Sequence, residues 1–312
     1  MSNMKTKTKK YAIIMCAGSG SRMGLSYNKL LYQISGKALI EYTLDNFTDA
    51  LSNNIIDEIV LVCSENGRAE FEKTAQNYHT SICAGGETRC ESVLRGLRFL
   101  KKRGAHDNDI ALICDGARPN TTPELIAACA ETAEKYGGAV AACPVTDTLR
   151  LTENGKPAGD IPRENARAVQ TPQAFIFSKI LSAYEKMSGK NNSEPSRTAK
   201  FLDFTDDAGV FAAAGFKYDF VSGPPDNYKI TLPEDLERFI NQRTAHSAQR
   251  TMNDDKEINK NNDIPSSIFH LPFRPQLLNS QFSITNPNRH RQRHAPPCTR
   301  PAADTRRRKH PV

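Results

Sequence analysis

Four short segments of the chain are almost continuously apolar: Tyr11–Cys16, Glu58–Cys63, Asp109–Cys114 and Ala139–Pro144. Runs of this length without alternation are expected of strands covered on both faces. Between and after them, apolar residues recur at helical spacing over Ala38–Phe47, Arg68–Asn77, Glu87–Lys102, Pro123–Tyr136, Ser178–Met187 and Asp206–Ala214. The Pro123 helix carries start signals, Thr121 with Glu124 three residues on and Pro123 in the first turn. Thr231-Leu-Pro-Glu234 repeats that logic before a last helix to about Gln242. Strands alternating with helices predict an α/β sandwich with a mostly parallel sheet, whose ligands gather beyond the carboxyl ends of the strands.

The rhythm breaks twice. Leu149–Val169 offers two extended segments around Glu153-Asn154-Gly155-Lys156-Pro157, and the Asn-Gly step predicts a β-hairpin protruding from the sheet. Met187–Lys200 is polar, with Gly, Asn and Pro, and reads as a loop. After Thr244 the periodicity stops. The tail from Ala245 holds 8 of the 18 prolines and 12 Lys/Arg against 5 Asp/Glu, which is the whole net charge of +7. Such a segment cannot bury a core and reads as disordered. The expected organisation is a flexible 1–10, a domain over 11–244 with an arm at about 147–170, and a basic, Pro-rich tail over 245–312.

Because the charge sits in the tail, the body is neutral and no nucleic-acid-binding domain is indicated. No stretch of 18 apolar residues exists, and the N-terminus lacks an apolar signal core, so a cytoplasmic protein without membrane contact is expected. The eight cysteines form no CxxC pair. Cys63, Cys114 and Cys143 lie in apolar runs, which suits a reducing compartment and neither a disulfide framework nor a zinc site.

Cys16-Ala-Gly-Ser-Gly-Ser-Arg-Met-Gly24 follows the first strand directly. Glycines there let backbone N–H groups close on an anion, yet the spacing differs from a dinucleotide fingerprint and lacks a Walker ending. Two cations, Arg22 inside the loop and Lys29 seven residues later, add what a triphosphate needs, neutralisation of charge at the reacting phosphorus.

The run A-G-S-G-S-R-M-G…N-K-L…G-K-A-L resembles the sugar-phosphate nucleotidyltransferases, and more narrowly the 2-C-methyl-D-erythritol 4-phosphate cytidylyltransferases of non-mevalonate isoprenoid synthesis. Further blocks follow in the family's order: Gly85–Leu94, Cys114–Pro119, Pro144–Thr148, Val169–Gln173, Thr205–Ala208 and Asn227–Asp235. The resemblance covers residues 11 to 242. It implies a Rossmann-like fold, a mostly parallel sheet sandwiched by helices with the arm protruding, and transfer of CMP from CTP to the acceptor's 4-phosphate.

By the same resemblance, Ala17, Gly18, Ser19 and Gly20 hold CTP, Gly86 and Ser92 contact its base, and Arg22, Lys29 and Lys229 stabilise the phosphates. Asp115 orients Mg²⁺ or a ribose hydroxyl. Arg118, Thr148, Arg163 and Thr171 bind the acceptor, with the arm clasping a second subunit in a homodimer. The acceptor phosphate is already anionic, so no general base is required. Ribitol 5-phosphate stays open as the acceptor, and a non-catalytic nucleotide-binding protein is the reading from another class. Two departures stand out. Asn28 replaces the family's usual Pro, which is expected to loosen the loop while leaving Lys29 in register, and Met187–Phe204 is longer than usual. Some relatives are fused to a cyclodiphosphate synthase, but the tail lacks its Asp-x-His metal pair, so no second enzyme is expected there.

Overall fold

A computed structural model describes residues 7–17, 23–188 and 204–245. The 245–312 tail beyond its first residue, most of the Met187–Lys200 loop and residues 1–6 therefore lie outside the described residues. The expected flexible segment 1–10 is too long at its end, because the Lys9 N–H donates to Asp109 and Lys10 already opens the first strand.

The four apolar runs form strands β1 (Lys10–Met15), β4 (Glu58–Cys63), β6 (Ile110–Asp115) and β7 (Gly138–Pro144), each within one residue of its expected span. A small hairpin, β2 (Gln33–Ile34) and β3 (Lys37–Ala38), lies between β1 and β4. Two short strands, β5 (Ser81–Ala84) and β11 (Asp219–Ser222), and the longer β10 (Arg167–Ile176) complete a seven-stranded sheet of order β11-β7-β10-β6-β1-β4-β5. Only β10 runs antiparallel to its neighbours. The mostly parallel α/β sheet is thus as expected.

Helices cover both faces, and the pleat sorts the side chains. Ala12, Ile14, Leu61, Leu112 and Cys114 point to a face covered by α1 (Leu39–Ser52), α2 (Arg68–Asn77) and α4 (Pro123–Tyr136). Tyr11, Ile13, Val60, Val62, Ala111 and Ile113 meet α3 (Arg89–Lys102), α5 (Phe177–Met187) and α6 (Asp207–Ala213). Each fully buried Leu, Ile or Phe here contributes about 1.5–3 kcal/mol relative to exposure. A last helix, α7, spans 233–245.

Three local readings are corrected. The cap of α4 is Thr122, whose side chain accepts from the Leu125 N–H. Thr121 is instead buried, and its hydroxyl meets the Arg118 carbonyl and Asn227. The start of α7 is closed from inside, because the Asp235 carboxylate accepts from the backbone N–H groups of Thr231 and Leu232. The free arm also ends earlier than 170. Its hairpin is β8 (Leu149–Glu153) and β9 (Lys156–Ile161), followed by a 3₁₀ turn at Arg163–Asn165, after which Arg167–Val169 already pair with β7. The hairpin itself turns at Asn154 and Gly155, both left-handed (φ 50° and 75°), the two-residue geometry that Asn-Gly favours.

Candidate active site

The register of the central strands places Met15 beside Asp115, so β1 and β6 end together. Beyond these ends opens a cavity of about 270 Å³. Ala17, Lys29, Gly86, Ser92, Asp115 and Lys229 line it, six of the residues the sequence singles out. Gly18, Ser19, Gly20 and Arg22 lie outside the described residues.

Lys29 opens a 3₁₀ turn, Lys29–Leu31, capped by the Asn28 side chain. The Leu30 side chain is buried and pins the turn to the core. The Lys29 ammonium is itself mostly buried and donates to the Ile230 carbonyl at 2.5 Å. The neighbouring Lys229 ammonium lies 3.1 Å from Asp115 Oδ2. One extended segment thus brings both lysines to one place, 200 residues apart in sequence.

That segment is held by Asn227, which is fully buried. Its amide donates to the Thr171 carbonyl and Gln170 Oε1 and accepts from the Thr121 hydroxyl, at 2.9, 3.1 and 2.9 Å. Its own carbonyl accepts from Arg118 Nη1 at 2.6 Å. A bulge in β10 between Val169 and Gln173 frees Thr171 from the ladder, and the Thr171 hydroxyl accepts from the Asp115 N–H at 3.0 Å.

Asp115 is almost wholly buried. Burial alone pushes its carboxyl up, but Lys229, Arg118 and Arg89 outweigh it and hold the group below the usual carboxylate range. Arg118 and Thr171, assigned to the acceptor by resemblance, both sit behind Asp115 and do not line the cavity. In this arrangement their direct part is to fix Asp115.

The opposite wall is the start of α3. Thr88 and Glu91 form a capping box there. Ser92 lies one turn in, buried, and is neither a cap nor a surface hydroxyl. Its Oγ accepts from the Gly86 N–H at 3.0 Å and donates to the Thr88 carbonyl at 2.9 Å. A Cβ on Gly86 would stand 2.4 Å from the Glu91 Cβ, and one on Gly85 2.8 Å from Ser92 Oγ, so the turn closes on the helix only with glycines.

Arg89 was not singled out by sequence, yet it lines the same cavity. Its guanidinium forks onto the buried Asp207 carboxylate at 3.0 and 2.6 Å, and the Tyr184 hydroxyl donates to the same carboxylate at 2.5 Å. Burial works against the Arg89 charge, but Asp207 raises its pKa above the ordinary arginine value. Arg89 and Asp207 fall in two of the ordered blocks, but no spacing signals a pair 118 residues apart.

Thr148 and Arg163 are exposed on the arm and do not line the cavity. Arg163 Nη1 donates to the Thr146 carbonyl at 3.1 Å. Among the described residues, no three His, Cys, Asp or Glu side chains cluster as a metal site. Of the charged residues that line the cavity, Lys29, Arg89 and Lys229 outnumber Glu87 and Asp115 by one.

Residues 11–240 match the family model for 2-C-methyl-D-erythritol 4-phosphate cytidylyltransferase. A relative of that name from Clostridium novyi is 35% identical over 235 residues, covering 73% of this chain and 94% of its own. One from Halalkalibacterium halodurans is 36% identical over 228 residues, covering 72% and 92%. Among solved structures, the 4-diphosphocytidyl-2C-methyl-D-erythritol synthase of Anaerococcus prevotii aligns with a TM-score of 0.60 at 26% identity, covering 76% of this chain and 99% of that one. The Thermus thermophilus cytidylyltransferase aligns with a TM-score of 0.57 at 28% identity, covering 74% and 98%. The glycine turn, the Asp115 strand end and the Lys229 segment all fall inside the matched span, and the chain belongs to the 2-C-methyl-D-erythritol 4-phosphate cytidylyltransferase family.

Proposed function

We propose that this chain transfers CMP from CTP to 2-C-methyl-D-erythritol 4-phosphate, releasing pyrophosphate and forming 4-diphosphocytidyl-2-C-methyl-D-erythritol. The observation that carries this reading is the convergence of Lys29 and Lys229 on one segment beside Asp115 at the strand ends. A phosphate oxygen of the acceptor attacks the α-phosphorus of CTP in line, and the bond to pyrophosphate breaks. The nucleophile arrives ionised, so the protein's task is placement and neutralisation of charge by Arg22, Lys29 and Lys229.

Asp115 suits Mg²⁺ of the kind held mainly by substrate phosphates and water, with one carboxylate. Asp115 is the residue that would hold the ion, with Lys229 and Arg118 beside it on Oδ2. When bound, the ion would neutralise phosphate charge. Gly86 and Ser92 would meet the base, and the Ala17–Gly20 backbone the phosphates. Arg118 and Thr171 would serve the acceptor from behind Asp115.

Thr148 and Arg163 would meet an acceptor where two chains join through the arm, and a homodimer is part of this proposal. An apolar position on the hairpin is in place for it, since Leu151 is 52% exposed. A cytoplasmic setting fits the seven described cysteines, all free thiols, and no described helix is long and apolar enough to cross a membrane.

The test is pyrophosphate release from CTP with methylerythritol 4-phosphate and ribitol 5-phosphate side by side. Release with the first alone is expected, in line with the names of the relatives. Release with ribitol phosphate alone would reassign the acceptor, and release with neither would leave a binding protein.

A further inference from the structure

We infer that Asn28 is a positioning residue that clamps the Lys29 turn to the end of β1, and so sets where the Lys29 ammonium meets the transferred phosphate. Two bonds from one amide make the clamp. Asn28 Oδ1 accepts from the Leu30 N–H at 3.0 Å, which closes the 3₁₀ turn that carries Lys29. Asn28 Nδ2 donates to the Cys16 carbonyl at 2.7 Å.

Cys16 is a firm anchor. Its side chain is fully buried, and its N–H donates to the Val62 carbonyl of β4 at 2.8 Å. The amide therefore ties the end of the first strand to the lysine turn 12 positions on. Asn28 also forms part of the cavity wall. Its backbone stands at φ −64°, the value a proline ring imposes, so the residue reaches by side-chain bonds what proline reaches covalently. Asn28, expected to loosen the loop, is itself bonded at both ends of its amide.

Folding does not depend on the clamp, because the buried Leu30 already secures the turn to the core. What Asn28 adds is register of the lysine. A displacement of the order of 1 Å at a charge-stabilising group costs rate much more than affinity.

This inference rests on the CMP-transfer reading, and the experiment separates the two. Asn28→Ala should lower kcat about 10- to 100-fold while KM for CTP and acceptor stays within about threefold and the melting temperature within a few degrees. Asn28→Pro, which restores the backbone angle without the amide, should recover a substantial part of that turnover. In hydrogen exchange, the Leu30 amide should lose protection in Asn28→Ala. Unchanged kcat in Asn28→Ala, or a loss that follows the melting temperature and is not recovered by Asn28→Pro, would overturn the clamp. Were the wild-type chain inactive on CTP and methylerythritol phosphate, the function would fall. The clamp would then stand or fall on Leu30 protection alone.

Discussion

At the scale of single residues, charge decides the site. Lys29 gives up most of its contact with water and keeps a carbonyl partner, so it is held ready for an anion. A preorganised donor to developing charge is typically worth about 3–4 kcal/mol. Lys29→Ala should therefore lower kcat by about 10² or more with the circular dichroism spectrum and melting temperature near those of the wild type, and Arg22→Ala should do the same. Turnover near normal in either variant would remove that cation from the mechanism. Lys29, Lys229, Asp115, Gly86 and Ser92 were legible because each lies in a block whose order matches the family. Arg118 and Thr171 were legible as members of the site, but their partner is Asp115. Sequence spacing cannot reveal that a β10 bulge turns Thr171 towards that strand end.

At the scale of elements, two helices on one face are tied by a charge pair. Arg89 opens α3, Asp207 opens α6, and the Tyr184 hydroxyl of α5 completes the group. Asp207 is inaccessible to water, whereas the Arg89 side chain is 29% exposed towards the cavity it lines. Removing Asp207 takes this acceptor from the half-buried Arg89 guanidinium and from the buried Tyr184 hydroxyl. Asp207→Ala should therefore destabilise the fold by about 3–5 kcal/mol in urea unfolding. A loss under about 1 kcal/mol would mean that Arg89 finds water or another acceptor. The missed strands have physical reasons. Pro172 lies within β10, and a proline argues against an interior strand, yet here it sits in the bulge where no ladder bond to β7 is made. β5 and β11 are four residues each, too short for a periodicity to show. The hairpin was legible because Asn154-Gly155 names its own turn.

At the scale of the whole molecule, the arm asks for a partner. A two-stranded hairpin is marginal in water by itself, and this one exposes Leu151. Exchange of arms between two chains would be isologous and would close at two. Mixing Arg163→Ala with Lys29→Ala chains should then restore part of the activity, because one hybrid site has both residues intact. No rescue in hybrid dimers shown to form by mass spectrometry would place Arg163 outside the neighbour's site. The tail gives a second expectation at this scale. Its composition cannot offset an ordering cost of about 1–2 kcal/mol per residue, so deletion of Ala245–Val312 should leave activity and melting temperature nearly unchanged. A large drop in melting temperature would show that the tail packs on something.

By itself the sequence determined the α/β layering, the elements that are long or strongly apolar, the hairpin turn and the cations proposed to meet phosphate. Those features follow from local rules, burial on both faces of a strand, the helical repeat and the conformational freedom of Asn-Gly, or from ordered motifs. Tertiary structure alone decided which groups meet. It brought Ile230 to Lys29, Lys229 to Asp115, Asp207 to Arg89 and the Asn28 amide to Cys16. Except for the last, these contacts join residues more than 100 positions apart, where chain order carries no information about distance. The Asn28 clamp is nearer in sequence, but it depends on where β1 ends and where the chain returns. Only the packed sheet fixes those two points.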